Sequence, residues 1–237
     1  MYPNSPNRGW NSLSRAQQIG VIAVGALVLY AIFSGASSLG RLGDPNWIVA
    51  VAAIVFIAFP VHEMAHAAMA VALGDDTPRL QGRFTLNPLA HIDPIGAVLI
   101  LFTGFGWAKP VQWSPRNIDV DVRLGAILVS LAGPVSNLIL ATLALFFLGS
   151  TSNSLVSHLL FFFAQINVLL FVFNLIPVPP LDGSHVLFAL LPGNTYELQV
   201  TLQRYGFVLL LVVIFMGGSF IFSMTGAVMK MLYGLVA

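Results

Sequence analysis

Two histidines and a glutamate fall within five residues in the run HEMAH, His62 to His66, inside the apolar stretch IVFIAFPVHEMAHAAMAVAL. Residues four apart share a face of a helix, so His62 and His66 can meet one metal ion while Glu63 stands about 100° further round, beside it. That is the layout of a zinc site with a general base next to it. Five His and two Glu (Glu63 and Glu197) in 237 residues give roughly 0.001 such matches per chain by random placement. Ionisable groups at the heart of an apolar span are costly and mark function.

A catalytic zinc usually takes three protein ligands. The chain has no Cys, so the third must be His, Asp or Glu. Asp182 is the leading candidate, in FNLIPVPPLDGSHVLFALL, where Pro177, Pro179, Pro180 and Gly183 must break the helix. A broken helix in a membrane protein lines a cavity and can aim a carboxylate inward. On this segment alone, a turn Asp followed by Gly at the membrane surface is the competing reading. Asn137 and Asn174 also lie in apolar helices, where an amide either bridges helices or holds substrate backbone or a developing oxyanion. His91 and Asp93 flank a Pro-rich turn and read as interfacial structure. His185, three residues after Asp182, is a candidate neighbour of the metal shell, and His158 reads as interfacial.

The elements that carry these groups are membrane helices. Hydrophobic residues make up 57% of the chain and charged ones 8%, against about a quarter in soluble domains. This excludes a water-soluble enzyme, and a net charge of +1 leaves no electrostatic footprint for nucleic acid. Apolar stretches of about 20 residues or more run from Gln18 to Leu39, Asn46 to Leu73, Leu124 to Leu148, Ser157 to Val178 and Tyr205 to Val236. The stretch from Pro94 to Trp107 is about half a span and reads as re-entrant. With the N-terminus cytoplasmic, eight of the ten cations lie inside and only Arg41 and Lys230 outside, as the positive-inside rule requires. Leu80, Gly82, Phe84 and Leu86 alternate with Gln81, Arg83, Thr85 and Asn87, a period-two pattern that predicts a strand. Ala108 to Trp113 would pair with it in a small membrane-edge sheet, to which an unwound substrate could add.

The expected fold is therefore an all-α membrane protein, a multi-pass helical bundle of five to six spans with a re-entrant segment and a small β-sheet. Residues 1–17 form a cytoplasmic tail, and residues 18–237 form one membrane-embedded domain with its core at 46–191.

In its motifs the chain resembles the site-2 proteases, zinc metalloproteases that cut within membrane-spanning segments. HEMAH matches their HExxH, and NLIPVPPLDG from Asn174 to Gly183 matches their second signature. AGPVSN, Ala132 to Asn137, is similar to a third motif. The resemblance implies that His62, His66 and Asp182 hold one Zn2+ ion and that Glu63 is the catalytic carboxylate. It also implies a compact member without PDZ or CBS domains, seated in the plasma membrane. Its substrate would be a single-pass membrane protein such as a membrane-bound transcription factor or anti-sigma factor. The rival reading is a metal-ion transporter using the same His and Asp ligands, which gives Glu63 no task.

Overall fold

The computed structural model describes residues 43–103 and 106–236. The tail 1–17 and the expected span Gln18 to Leu39 lie outside them. Helix α1 (Pro45–Ala53) opens with Pro45 in its first turn, where a missing N–H costs nothing, and Asp44 caps it by accepting the Asn46 N–H at 2.9 Å. A single π turn follows, Ile54–Ala58, in which the Phe59 N–H reaches back five residues to the Ile54 carbonyl. Helix α2 (Phe59–Ala72) continues from it and carries HEMAH. Pro60 gives the physical reason for the wide turn. Its ring would strike the carbonyl four residues earlier in a regular helix, and the extra residue makes room. Together Pro45–Ala72 form one 28-residue apolar span.

Short helices α3 (Thr77–Leu80) and α4 (Pro88–His91) follow, and then α5 (Pro94–Thr103). Ten residues of helix reach about 15 Å, half the hydrocarbon thickness. Ile100 of α5 is buried with Val51 of α1 and Val55 of the π turn, and Trp47 Nε1 donates to the Leu101 carbonyl at 2.9 Å.

Helix α6 (Val122–Gly149) is capped by Asp121 and α7 (Ser154–Asn174) by Asn153. The main core lies where Ala141, Ala144 and Leu145 of α6 meet Ala164, Val168 and Val172 of α7. Three alanines at this seam let the backbones approach closely, which is how membrane helices gain packing without a hydrophobic drive. Ile221 and Leu232 of α10 (Gly206–Val236) close the cluster. Between α7 and α10 stand α8 (Asp182–Leu190) and the polar α9 (Tyr196–Arg204). Phe146, Phe147, Phe220 and Phe222 are exposed on the bundle's outer faces, where lipid is the solvent. Among the described residues four helices are long and apolar enough to cross a membrane, Pro45–Ala72, Val122–Gly149, Ser154–Asn174 and Met216–Val236. A fifth is gained if Tyr196–Arg204 and Val208–Ile214, bent by 70°, count as one.

The expected small sheet is not formed. Among the described residues there is no strand, only an isolated antiparallel bridge between Ile92 and Ala108. The segment from Leu80 to Asn87 fails as a strand because Gly82 turns the chain at φ +67° and its N–H closes a turn on the Arg79 carbonyl. Its alternation serves another end. Leu80, Phe84 and Leu86 face outward while the Arg83 side chain is buried and donates to the Ala90 and Lys109 carbonyls. A guanidinium taken out of water needs such acceptors, and satisfying them curls the loop.

Candidate active site

His62 and His66 lie on one face of α2, their Nε2 atoms 3.0 Å apart. Asp182, the first residue of α8, places Oδ2 at 3.2 Å from Nε2 of His62 and 3.4 Å from Nε2 of His66. The turn that delivers it runs through the cis Pro179–Pro180 bond, with the Leu181 N–H donating to the Val178 carbonyl at 2.9 Å. Gly183 is required next to it, since a Cβ there would overlap the Leu175 carbonyl at the end of α7.

The remaining nitrogen of each imidazole is engaged behind the site. Nδ1 of His66 donates to the Val129 carbonyl at 2.7 Å, and Nδ1 of His62 donates to Oδ1 of Asn137 at 2.6 Å. With hydrogen on both Nδ1 atoms, both Nε2 atoms present lone pairs. Two lone pairs and a carboxylate oxygen thus converge, and Asp182 Oδ2 is buried with no hydrogen bond. Three such acceptors repel one another unless a cation lies among them. Ligands at about 2.0–2.1 Å in a tetrahedron stand roughly 3.3 Å apart, so separations of 3.0 to 3.4 Å fit one metal ion.

Helix α6 can lie this close because of Gly133. A Cβ there would overlap Nε2 of His66 and stand 2.7 Å from Cε1 of His62. Asn137, one turn further along α6, is completely buried, and its Nδ2 donates to Oδ1 of Asn167 on α7 at 2.9 Å. It therefore sits behind His62 as an interhelical bridge. Asn174, half-buried at the end of α7, donates to the Leu170 carbonyl of its own helix at 3.0 Å. His185 is exposed on α8 and His158 on α7. His91 is buried apart from the site and donates through Nε2 to the Thr85 carbonyl at 2.7 Å, while Asp93 accepts the Gly96 N–H at 2.9 Å.

Glu63 is buried beside the two imidazoles, and its Oε2 accepts the Val111 N–H at 2.9 Å. The segment that brings Val111 there is pinned on both sides. Upstream, the Lys109 N–H donates to the His91 carbonyl at 2.7 Å. Downstream, the buried Asp75 at the end of α2 accepts the Ser114 N–H at 2.6 Å, Asn117 Nδ2 at 2.9 Å and the Thr77 N–H at 3.0 Å. Burial would push the Asp75 pKa up, but the donors from Thr77, Ser114 and Asn117 outweigh it and hold the carboxyl below its usual range. The sequence reading missed Val111, Asp75, Gly133 and Asn167. Gly133 alone carried a signal, inside the AGPVSN motif.

The family model described as Peptidase family M50 matches residues 149–214, which include the helix break and Asp182. A candidate zinc metalloprotease of Bacillus subtilis (strain 168), YwhC, is 42% identical over 169 residues, 67% of this chain and 76% of the relative. The chain belongs to peptidase family M50. Two candidate zinc metalloproteases named Rip2 are more distant relatives. That of Mycolicibacterium smegmatis is 28% identical over 204 residues, 82% of this chain and 77% of its own. That of Mycobacterium tuberculosis (strain H37Rv) is 28% identical over 202 residues, 82% of this chain and 76% of its own. No solved structure matches the chain. Membership of M50 agrees with the resemblance to site-2 proteases carried by HEMAH and NLIPVPPLDG.

Proposed function

We propose that this M50 peptidase is a zinc-dependent intramembrane endopeptidase that cuts a membrane-spanning segment of a single-pass protein, as a step of regulated intramembrane proteolysis. The observation that carries the reading is the meeting of His62, His66 and Asp182 inside a 28-residue apolar helix's reach, with Glu63 beside them. His62, His66 and Asp182 would hold one zinc ion, which would supply Lewis-acid polarisation of a peptide carbonyl and make water easier to deprotonate near neutral pH. Glu63 would take a proton from the attacking water and pass it to the leaving amine. The Val111 N–H holds the Glu63 carboxylate in one orientation while it does so.

A substrate helix shields its carbonyls in its own hydrogen bonds, so it must unwind before it can be cut. We assign its docking to the segment 108–113, through main-chain hydrogen bonds beside Glu63, and we assign Asn174 a contact with substrate backbone. In the orientation we favour, the N-terminus is cytoplasmic, the protein lies in the plasma membrane and α5 is a re-entrant segment. The substrate class is a single-pass regulator such as a membrane-bound transcription factor or anti-sigma factor.

The test is cleavage of a single-pass reporter by the full chain in proteoliposomes. Cleavage should need zinc, stop on chelation and be absent in Glu63→Gln. Zinc uptake into the vesicles without any cleavage would replace this reading with that of a transporter.

A further inference from the structure

We propose that Asn167 is a positioning residue: from a third helix, touching neither ligand set nor substrate, it fixes which nitrogen of His62 carries hydrogen. The argument begins at the far end of the chain of contacts. Asn167 lies 2.9 Å from the Phe163 carbonyl, which can only accept, so the Asn167 group facing it is the NH2. That turns Oδ1 of Asn167 toward Asn137, 2.9 Å away. Asn137 must then present its own NH2 to Asn167 and its Oδ1 to His62, 2.6 Å off. His62 must answer with Nδ1–H, which in the neutral imidazole a metal requires leaves Nε2 with a lone pair facing His66 and Asp182.

Each link has one polarity because the one before it has, and the first is set by main chain. Both amides are completely buried, so no water is on hand to substitute for a lost partner. His66 needs no such relay, because its Nδ1 meets the Val129 carbonyl directly. Without Asn167, the Asn137 amide is free to turn its NH2 toward His62, and the imidazole would then place hydrogen on Nε2, where a metal must bind. Outer partners of metal-binding histidines are worth about 10–100-fold in metal affinity.

This inference rests on the metal site of the proposed function, but its primary readout needs neither metal nor substrate. The full chain, labelled with 15N-histidine and freed of metal in detergent micelles, reports the imidazole tautomers by NMR. His62 and His66 should both carry hydrogen on Nδ1. In Asn167→Leu, His62 should become a mixture while His66 is unchanged, and zinc affinity by chelator competition should fall 10–100-fold. A bare Nδ1 on His62 in the unsubstituted protein would overturn the proposal without any variant, so a folding failure of Asn167→Leu does not shelter it. A loss of zinc affinity with the His62 tautomer unchanged would overturn it too, since Asn167 would then act by packing alone. An enzyme inactive on every reporter, with both tautomers as expected, would count against the protease reading and leave Asn167's role standing.

Discussion

The Val111 N–H donates to Oε2 of Glu63 across 48 positions of sequence, so the carboxylate is oriented from outside its own helix. Glu63→Gln should keep the fold and bind zinc, yet lose cleavage by about 10²–10⁴-fold, because an amide cannot take a proton from water. Metal analysis and turnover of one preparation check both halves. Turnover within threefold of the parent would place the base elsewhere.

Asp182→Ala removes one of three converging acceptors while leaving α2 intact. Zinc content of the purified protein should drop strongly, whereas Asp93→Ala, whose carboxylate meets the Gly96 N–H, should retain it. Full zinc occupancy in Asp182→Ala would remove this residue from the shell.

Gly133→Ala should damage the site through shape alone. The added methyl overlaps the His66 ring and approaches His62, and overpacking of this kind costs about 1–3 kcal/mol. Thermal unfolding should shift down and zinc binding weaken. Gly226→Ala on α10, with nothing within 4 Å of the new methyl, should be neutral or slightly stabilising, as helix propensity predicts. Equal effects at the two sites would refute the close approach of α6 to the imidazoles.

Asp75 gives a pH dependence of known sign. Its native pKa is below its ordinary value, so the folded state binds a proton less readily than the unfolded state. Its stabilisation is complete above about pH 3.9, the unfolded value, and is lost as pH falls below that through the native pKa. The stability gap between the parent and Asp75→Asn, measured by thermal unfolding in detergent, should be steady from pH 7 to pH 5 and narrow in stronger acid. A gap that does not change with pH would mean the charge contributes nothing.

What could be read from the sequence was set by distance along the chain. His62 and His66 were legible because helical geometry puts i and i+4 together without reference to anything else. Asp182 was legible because Pro177, Pro179, Pro180 and Gly183 advertise a break, although only the fold shows the carboxylate arriving between the two imidazoles. Asn167 was not legible, being one amide in an apolar helix whose partner is 30 positions away. Val111 could not be, since the group that matters is its backbone N–H. The strand expected from Leu80 to Asn87 shows the limit of periodicity. Alternation is a statement about two faces, and a loop that buries Arg83 while exposing Leu80 and Leu86 alternates as well as a strand does.

The π turn at Ile54–Ala58 divides one membrane helix into two sections with separate angular settings. Val51 before it and Val55 near its start are directed at α5, while His62 and His66 after it are directed at α6. One residue of helix is worth about 100° of rotation, so deleting any single residue from 54–58 would restore a regular helix and force one section to turn away from its neighbour. The length of this short apolar stretch is therefore more tightly constrained than its spelling. Single apolar exchanges within it should be tolerated, and a one-residue deletion should swing the metal-binding face off its target.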